Sequence, residues 1–168
     1  RAFQIQRIQP LGTRRPIVDR NGRLVALDEQ RFRLWAHPNN FHFPGDPSDL
    51  LREPVEVARR IANLVGMSTT ELVNLIGDRV SGIRLSDGLD TDTATEIRKL
   101  RISGLELESY LQRVYPQDDL FANVVGFLNV DRIPQSGLEQ SLHKLLSREE
   151  PVRRLRFSRD GIPLPDDL

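Results

Sequence analysis

The sequence contains no cysteine, which excludes disulfide staples and thiolate metal sites alike. Lysine is nearly as scarce, at Lys99 and Lys144, so the positive charge is almost all arginine. Lys plus Arg number 24 and Asp plus Glu number 24, leaving a formal net charge of zero. That balance lacks the basic surplus with which nucleic-acid binders neutralise phosphate. Arginine forks a carboxylate through two bonds that lysine cannot match. An Arg-rich, acid-rich chain of zero net charge is therefore read as laced with internal ion pairs. No apolar run approaches the roughly 20 residues a membrane helix needs, and no signal-peptide pattern opens the chain. The start at Arg1, without Met, is read as a designed or processed boundary.

What is present fits a folded protein: 38% hydrophobic, 29% charged and 6% aromatic residues are ordinary proportions. With 168 residues, there is chain enough for one domain or two small lobes, and a domain of this size hides roughly 70% of its unfolded surface. Asn21-Gly22 predicts a tight hairpin turn, because both residues tolerate positive φ. Pro16 to Val18 and Arg23 to Leu27 supply its arms, and Arg31 to Ala36 alternates charged and apolar residues as a third strand. Pro38 to Asp49, with Pro, Asn, Gly and two Phe, reads as an excursion over the surface.

Helices follow. Pro54 suits a first turn, Val55, Ala58, Ile61, Ala62 and Val65 form an apolar stripe, and Gly66 ends the element. Ser68 with Glu71 is a capping box for a second helix through Leu72, Val73, Leu75 and Ile76. Ile83 to Leu85 reads as a short strand, and Asp90 to Leu100 as a third helix capped by Asp90 or Thr91. Leu105 to Tyr115 alternates as a strand. Phe121 to Val130 fits helix or strand, with a short helix preferred. Ser136 to Leu146 predicts a helix with Leu138, Leu142, Leu145 and Leu146 on one face. Val152 to Phe157 and Ile162 to Leu164 bracket Asp160-Gly161 as a last hairpin. Hairpins at both ends around a helical middle (about 37–112, an inserted and mainly helical lobe) define an α+β class.

Separated segments carry a family likeness. Arg14, Ile17, Asp19, Arg20, Asn21 and Gly22, closed by Val25-Ala26, resemble the motif R-G-x-I-x-D-R-N-G-x-x-L-A. Arg113, Tyr115 and Pro116 lead to Ala122-Asn123-Val124-Val125-Gly126-Phe127, as R-x-Y-P leads to an apolar run ending G-F or G-Y. Gly137 and Glu139, ahead of Leu142 and Leu146, are similar to G-x-x-G-x-E. Leu100 to Leu105 resembles the L-x-L-P-G-V stretch upstream of R-x-Y-P. Arg15, Asp118 and Pro134 depart from these patterns, each where the family has Gly. In this order and spacing the chain resembles the pedestal, or dimerisation domain, of a class B penicillin-binding protein, of division type rather than elongation type.

The resemblance implies a non-catalytic scaffold of 168 residues, normally preceded by a membrane helix and followed by a transpeptidase domain, with the linker beginning near Pro163 to Leu168. It implies a place on the extracytoplasmic, periplasmic side of the inner membrane and no cofactor. Its partners would be cell-wall synthesis proteins, in particular a polytopic glycan polymerase, besides its own transpeptidase domain and a possible second copy. The residues singled out are Arg14, Asp19, Arg20, Asn21, Gly22, Arg113, Tyr115, Pro116, Gly126, Gly137 and Glu139. Asp19 to Gly22 are read as a fixed turn with paired charges. Because the motifs gather near the enzyme junction in this family, Arg14 is expected to pair with Glu139.

Other chemistry is present in letters only. Ser141-Leu142-His143-Lys144 spells S-x-x-K, the nucleophile motif of penicillin-interacting enzymes. No S-x-N triplet accompanies it and neither lysine precedes Thr/Ser-Gly, so a chance match is preferred to a serine acyl-enzyme using Ser141 and Lys144. His37, His42 and His143 are dispersed, and Asp87 to Asp92 lacks the order of a calcium loop, so no metal site is assigned. Arg153, Arg154 and Arg156 form a basic cluster, read first as the solvated face of a strand and second as an interface to a partner protein or to membrane head groups.

Overall fold

A computed structural model describes residues 4–8, 12–117, 121–148 and 153–157, the first and last of these stretches as backbone. Helices and an open sheet alternate along the chain, as the α+β reading requires. The chain divides into two units, residues 1–28 with 113–168, and residues 29–112.

In the unit 29–112, β3 (Leu24–Ala36) turns Phe32, Leu34 and Ala36 into a core and leaves Arg33 and Trp35 half-exposed between them. This is the period of two expected of a strand with one buried face. β4 (Ile83–Leu89) runs antiparallel beside it, with Phe32 opposite Leu89 and Ala36 opposite Ile83. β5 (Leu105–Val114) also pairs with β3. α1 (Pro54–Val65), α2 (Thr69–Ile76) and α3 (Thr91–Lys99) add Val57, Ala58, Ile61, Leu72, Ile76 and Ile97 to the same apolar cluster. Each such Val, Leu or Ile side chain contributes about 1.5–3 kcal/mol through burial.

The helix boundaries follow from local chemistry. Pro54 opens α1 and Gly66, at φ 68°, closes it. At α2, Glu71 N–H donates to Ser68 Oγ (3.1 Å) while Ser68 N–H donates to Glu71 Oε2 (2.7 Å), which completes the predicted capping box. Asp90 caps α3 by accepting from Thr93 N–H at 2.7 Å.

Three expectations fail in this part of the chain. The arms at Arg23 to Leu27 and Arg31 to Ala36 belong to one strand, β3, of 13 residues. Asp28, Glu29 and Gln30 interrupt the apolar alternation, but strand continuity is set by backbone pairing, which side-chain polarity does not break. β4 runs on past Leu85 to Leu89 for the same reason, with Ser86 paired to Leu34. The segment Pro38 to Asp49 is not wholly a surface excursion, since Phe41 is fully buried. His42 and Ser103 exchange backbone bonds of 3.4 and 3.0 Å, and Gly104, at φ 86°, sits where a Cβ would come within 2.7 Å of Phe41 and of the His37 carbonyl.

The other unit begins with backbone pairing of β1 (Gln4–Ile8) to β6 (Arg153–Phe157), antiparallel from Gln4 opposite Phe157 to Ile8 opposite Arg153. The terminal hairpin read from Asp160-Gly161 and Ile162 to Leu164 lies outside the described residues. The partner of β6 among the described residues is β1, from the opposite end of the sequence, where no strand is predicted. β2 (Ile17–Val18) pairs with β3 through Ile17 opposite Ala26 and Val18 opposite Leu24. Their turn is not the two-residue Asn-Gly form. Gly22 alone takes positive φ (79°), while Gly22 N–H donates to the Asp19 carbonyl at 3.0 Å and Asp19 N–H to the Arg23 carbonyl at 2.9 Å.

α4 (Ala122–Val125) is the short helix preferred from sequence. The helix expected over Ser136 to Leu146 is broken at Leu142 into α5 (Gly137–Ser141) and α6 (His143–Leu146). Only part of the leucine face turns inward. Leu146 is buried and Leu138 half-buried, but Leu142 and Leu145 are 37% and 59% exposed, and Glu139 is buried in their place. The reason is electrostatic and is set out next.

Candidate functional site: a buried arginine and carboxylate network

Arg14 lies just ahead of β2, Asp28 within β3, Arg113 near the end of β5, and Glu139 in α5. All belong to the unit formed by the two ends of the chain. Arg14 Nε donates to Glu139 Oε2 at 2.6 Å and Arg113 Nε to Glu139 Oε1 at 2.7 Å, so one carboxylate takes a guanidinium on each oxygen. Arg14 Nη2 also donates to the Glu139 backbone carbonyl at 2.7 Å. Side-chain exposure is 5% for Arg14, 3% for Arg113 and 0% for Glu139. Burying a carboxylate this deep is costly unless it is paired and hydrogen-bonded, and one charge-assisted bond from each of two guanidiniums supplies that.

Asp28 is the second acceptor. Its carboxylate, 2% exposed, takes the Arg14 backbone N–H at 2.6 Å, Arg132 Nη2 at 2.6 Å and, at a longer 3.4 Å, Arg113 Nη1. Arg113 Nη2 reaches the Arg15 carbonyl at 2.9 Å. Arg132 holds a left-handed backbone, φ 62°, in a turn where Asn129 Oδ1 accepts from the N–H groups of Asp131 (3.0 Å) and Ile133 (2.8 Å). Arg14 Nη1 lies 3.0 Å from His143 Nδ1; a guanidinium can only donate, so the ring nitrogen is the acceptor. Ser147 Oγ accepts from the same Nη1 at 3.3 Å.

Two glycines make the second feature. Gly126 (φ 74°) and Gly137 (φ 61°) are pressed together: a Cβ on Gly126 would fall 2.0 Å from the Ser136 carbonyl oxygen, and one on Gly137 would fall 2.5 Å from the Val124 carbonyl oxygen. Neither position has space or backbone for an L side chain. Next to them, the Tyr115 hydroxyl oxygen accepts from Leu128 N–H at 3.2 Å. Its ring packs against Val25, Ala26 and Val125. Burial first, and then the negative charge of Glu139, push the Tyr115 phenol above its ordinary range.

The structure thus gathers Arg14, Arg113, Tyr115, Gly126, Gly137 and Glu139, and the expected Arg14–Glu139 pair is formed. It does not bring in the others. Pro116 is exposed in a turn, and Asp19 to Gly22 lie at the hairpin tip. The tip is a fixed turn without the expected charge pairing among the described residues. Asp19 Oδ1 is taken by the backbone N–H groups of Asn21 (2.7 Å) and Arg23 (2.9 Å), because two nearby amides outcompete an exposed arginine. Sequence reasoning missed Asp28, Arg132, His143 and Ser147. Asp28 had one signal, a carboxylate in step with the buried Ala26; the others had none.

Ser141 Oγ donates to the Gly137 carbonyl at 3.0 Å, and no hydrogen bond joins it to Lys144 among the described residues. Among those residues no group of His, Asp or Glu is placed to hold a metal ion, and no helix is long and apolar enough to cross a membrane.

The mixed helix-and-sheet fold thus brings together Arg14, Arg113, Tyr115, Gly126, Gly137 and Glu139 of the motif residues. Residues 10–159 match the family described as the penicillin-binding protein dimerisation domain, and the chain belongs to that family. It is 30% identical over 166 residues to the peptidoglycan D,D-transpeptidase FtsI of Escherichia coli K12, covering 95% of this chain and 27% of that protein. It is also 30% identical over 139 residues to an FtsI homologue of the alga Nephroselmis olivacea, covering 83% and 18% respectively. Penicillin-binding protein 2X of Streptococcus thermophilus shares the fold, with a TM-score of 0.63 at 19% identity over 96% of this chain and 26% of that one. The chain therefore spans between 18% and 27% of the length of these relatives.

Proposed function

We propose that the chain is a non-catalytic scaffold of a class B penicillin-binding protein of peptidoglycan synthesis and cell division. In this role it positions a transpeptidase domain on the extracytoplasmic side of the inner membrane and offers surface to wall-synthesis partners, including a polytopic glycan polymerase. The observation that carries the reading is the network itself. It ties positions as far apart as Arg14 and Glu139, 125 residues distant in sequence, and its Arg14, Asp28, Arg113 and Glu139 side chains are buried, where they hold a shape and cannot meet a substrate. Ser141 supports the same reading, with its hydroxyl proton committed to a backbone carbonyl where a nucleophile needs a base.

Intact-mass spectrometry of the chain after incubation with penicillin tests this. No adduct is expected. A stoichiometric adduct lost in Ser141→Ala would establish the serine acyl-enzyme instead. Self-association is a second reading, favoured by exposed Val124, Phe127, Val130 and Ile133, of which Val130 is 98% accessible. A mass that rises with concentration in light scattering would select it.

A further inference from the structure

Within residues 29–112 a cavity of about 340 Å³ opens at the end of α3. Its walls are Ile97, Ile102, Leu105 and Leu107, and Arg98 and Arg101 stand on its rim. Neither guanidinium meets a carboxylate among the described residues, in contrast to Arg33 and Arg52 of the same unit, which each pair with two. Arg98 is placed over the Phe32 ring, 5.0 Å from its centroid. Arg101 holds a left-handed backbone, φ 51°, a conformation that a residue with a side chain keeps only when its surroundings impose it. They do so here: Arg101 N–H donates to the Arg98 carbonyl at 3.0 Å, Ser103 N–H donates to the His42 carbonyl at 3.0 Å, and Gly104 is wedged against His37 and Phe41. The rim is preformed. Glu106 also lines the cavity, with Oε2 3.1 Å from His37 Nε2.

We infer that this cavity docks an acidic, apolar peptide segment of a partner protein. A carboxylate would lie between Arg98 and Arg101, and a neighbouring aliphatic side chain would cover the half-buried Leu105 and Leu107, Ile97 and Ile102 being buried in the core already. Two arginines beside two leucines suit a single carboxylate next to an aliphatic side chain, and Glu106, bonded to His37, disfavours a polyanion. A peptide fits better than a free acid because the cavity follows Leu105 to Leu107 at the start of β5, whose strand neighbour among the described residues is β3 alone. There the edge away from β3 has no strand partner among the described residues, and an extended main chain could add to it. The inference stands apart from the scaffold reading, which rests on the other unit.

The test is a titration of the ¹⁵N-labelled chain with acetyl-Leu-Glu-Leu-amide, followed by amide chemical shifts. Saturable shifts at Ile97 to Leu107 are expected by about 5 mM. The double variant Arg98→Gln/Arg101→Gln, whose side chains are exposed, is expected to keep its melting temperature and to bind at least about tenfold more weakly. The same loss is expected with acetyl-Leu-Gln-Leu-amide. Absence of saturable shifts, equal binding by the double variant, or equal binding of the glutamine peptide would overturn the inference. Acetyl-leucine binding as strongly as the tripeptide would overturn its peptide occupant.

Discussion

The two units are held together by different physics. Residues 29–112 share an apolar cluster with sixteen buried members, whereas among the described residues of the other unit the buried apolar cluster is Val25, Ala26 and Val125. The second unit replaces apolar volume with Arg14, Asp28, Arg113 and Glu139, four charged side chains each at most 5% exposed. An apolar core loses stability in steps as methylenes are removed. A buried charge network fails all at once, because removing one member leaves the others charged, dry and unpaired. The first arrangement tolerates drift; the second demands particular residues at particular places.

The largest effect expected of any single change is therefore in the smaller cluster. Glu139→Ala strands both Arg14 and Arg113 and should cost about 3–5 kcal/mol. Hydrogen exchange should show the loss in β2, α4 and α5, with amides at Ile61 and Leu72 keeping their protection. An unaltered melting curve would mean that the network contributes nothing and that the contrast between the units is false.

Gly126→Ala should follow, at roughly 2–4 kcal/mol, since overpacking against Ser136 adds to positive φ. Urea midpoints of Gly126→Ala and of Gly22→Ala separate the two causes, because Gly22 also has positive φ (79°) but open space around it. In the other unit Ser68→Ala removes a cap and should cost about 1 kcal/mol; a larger loss would show that its helices depend on single polar contacts as the network does.

The smallest effect expected is one of pH. The Arg52 guanidinium, bonding Asp46 through Nε at 2.8 Å and Nη2 at 2.7 Å, holds the Asp46 carboxyl down at about 2, from an ordinary 3.8, with help from Phe43 N–H. A depressed carboxylate adds stability above its unfolded value and loses it as the pH falls toward its folded one. Stability should thus decline between about pH 4 and about pH 2, and Asp46→Asn should flatten that part of the urea-midpoint profile. An unchanged profile would remove this pair from the account.

The unit 29–112 was legible because its signals are local. The α1 stripe, the Ser68–Glu71 box, Gly66 and the alternation Phe32, Leu34, Ala36 each lie within a few residues of what they determine. Phe41 was not legible, since its burial depends on Gly104, more than sixty positions away. In the other unit only motif resemblance joined Arg14 to Glu139. The leucine pattern of Ser136 to Leu146 placed Leu146 correctly but not Leu142, Leu145 or Glu139, because periodicity counts methyl groups and does not count two guanidiniums waiting for a carboxylate. β1 and β6 illustrate the same limit: a strand's partner is chosen by the whole chain's path, and the Asp160-Gly161 signal carries no information about Gln4 to Ile8.

By itself, the sequence determined the α+β class, the capped helices, the hairpin position and, through four motifs in register, the family. The tertiary structure alone decided that Asp28 and Arg132 complete the network, that Gly126 and Gly137 meet, that Glu139 and not Leu142 faces inward, and that Arg98 and Arg101 stand at one cavity without a carboxylate partner among the described residues. Local geometry propagates along a backbone within a turn or two and is written in neighbouring residues. Charge pairing and close approach act through space, between residues whose separation in sequence says nothing of their separation in the fold.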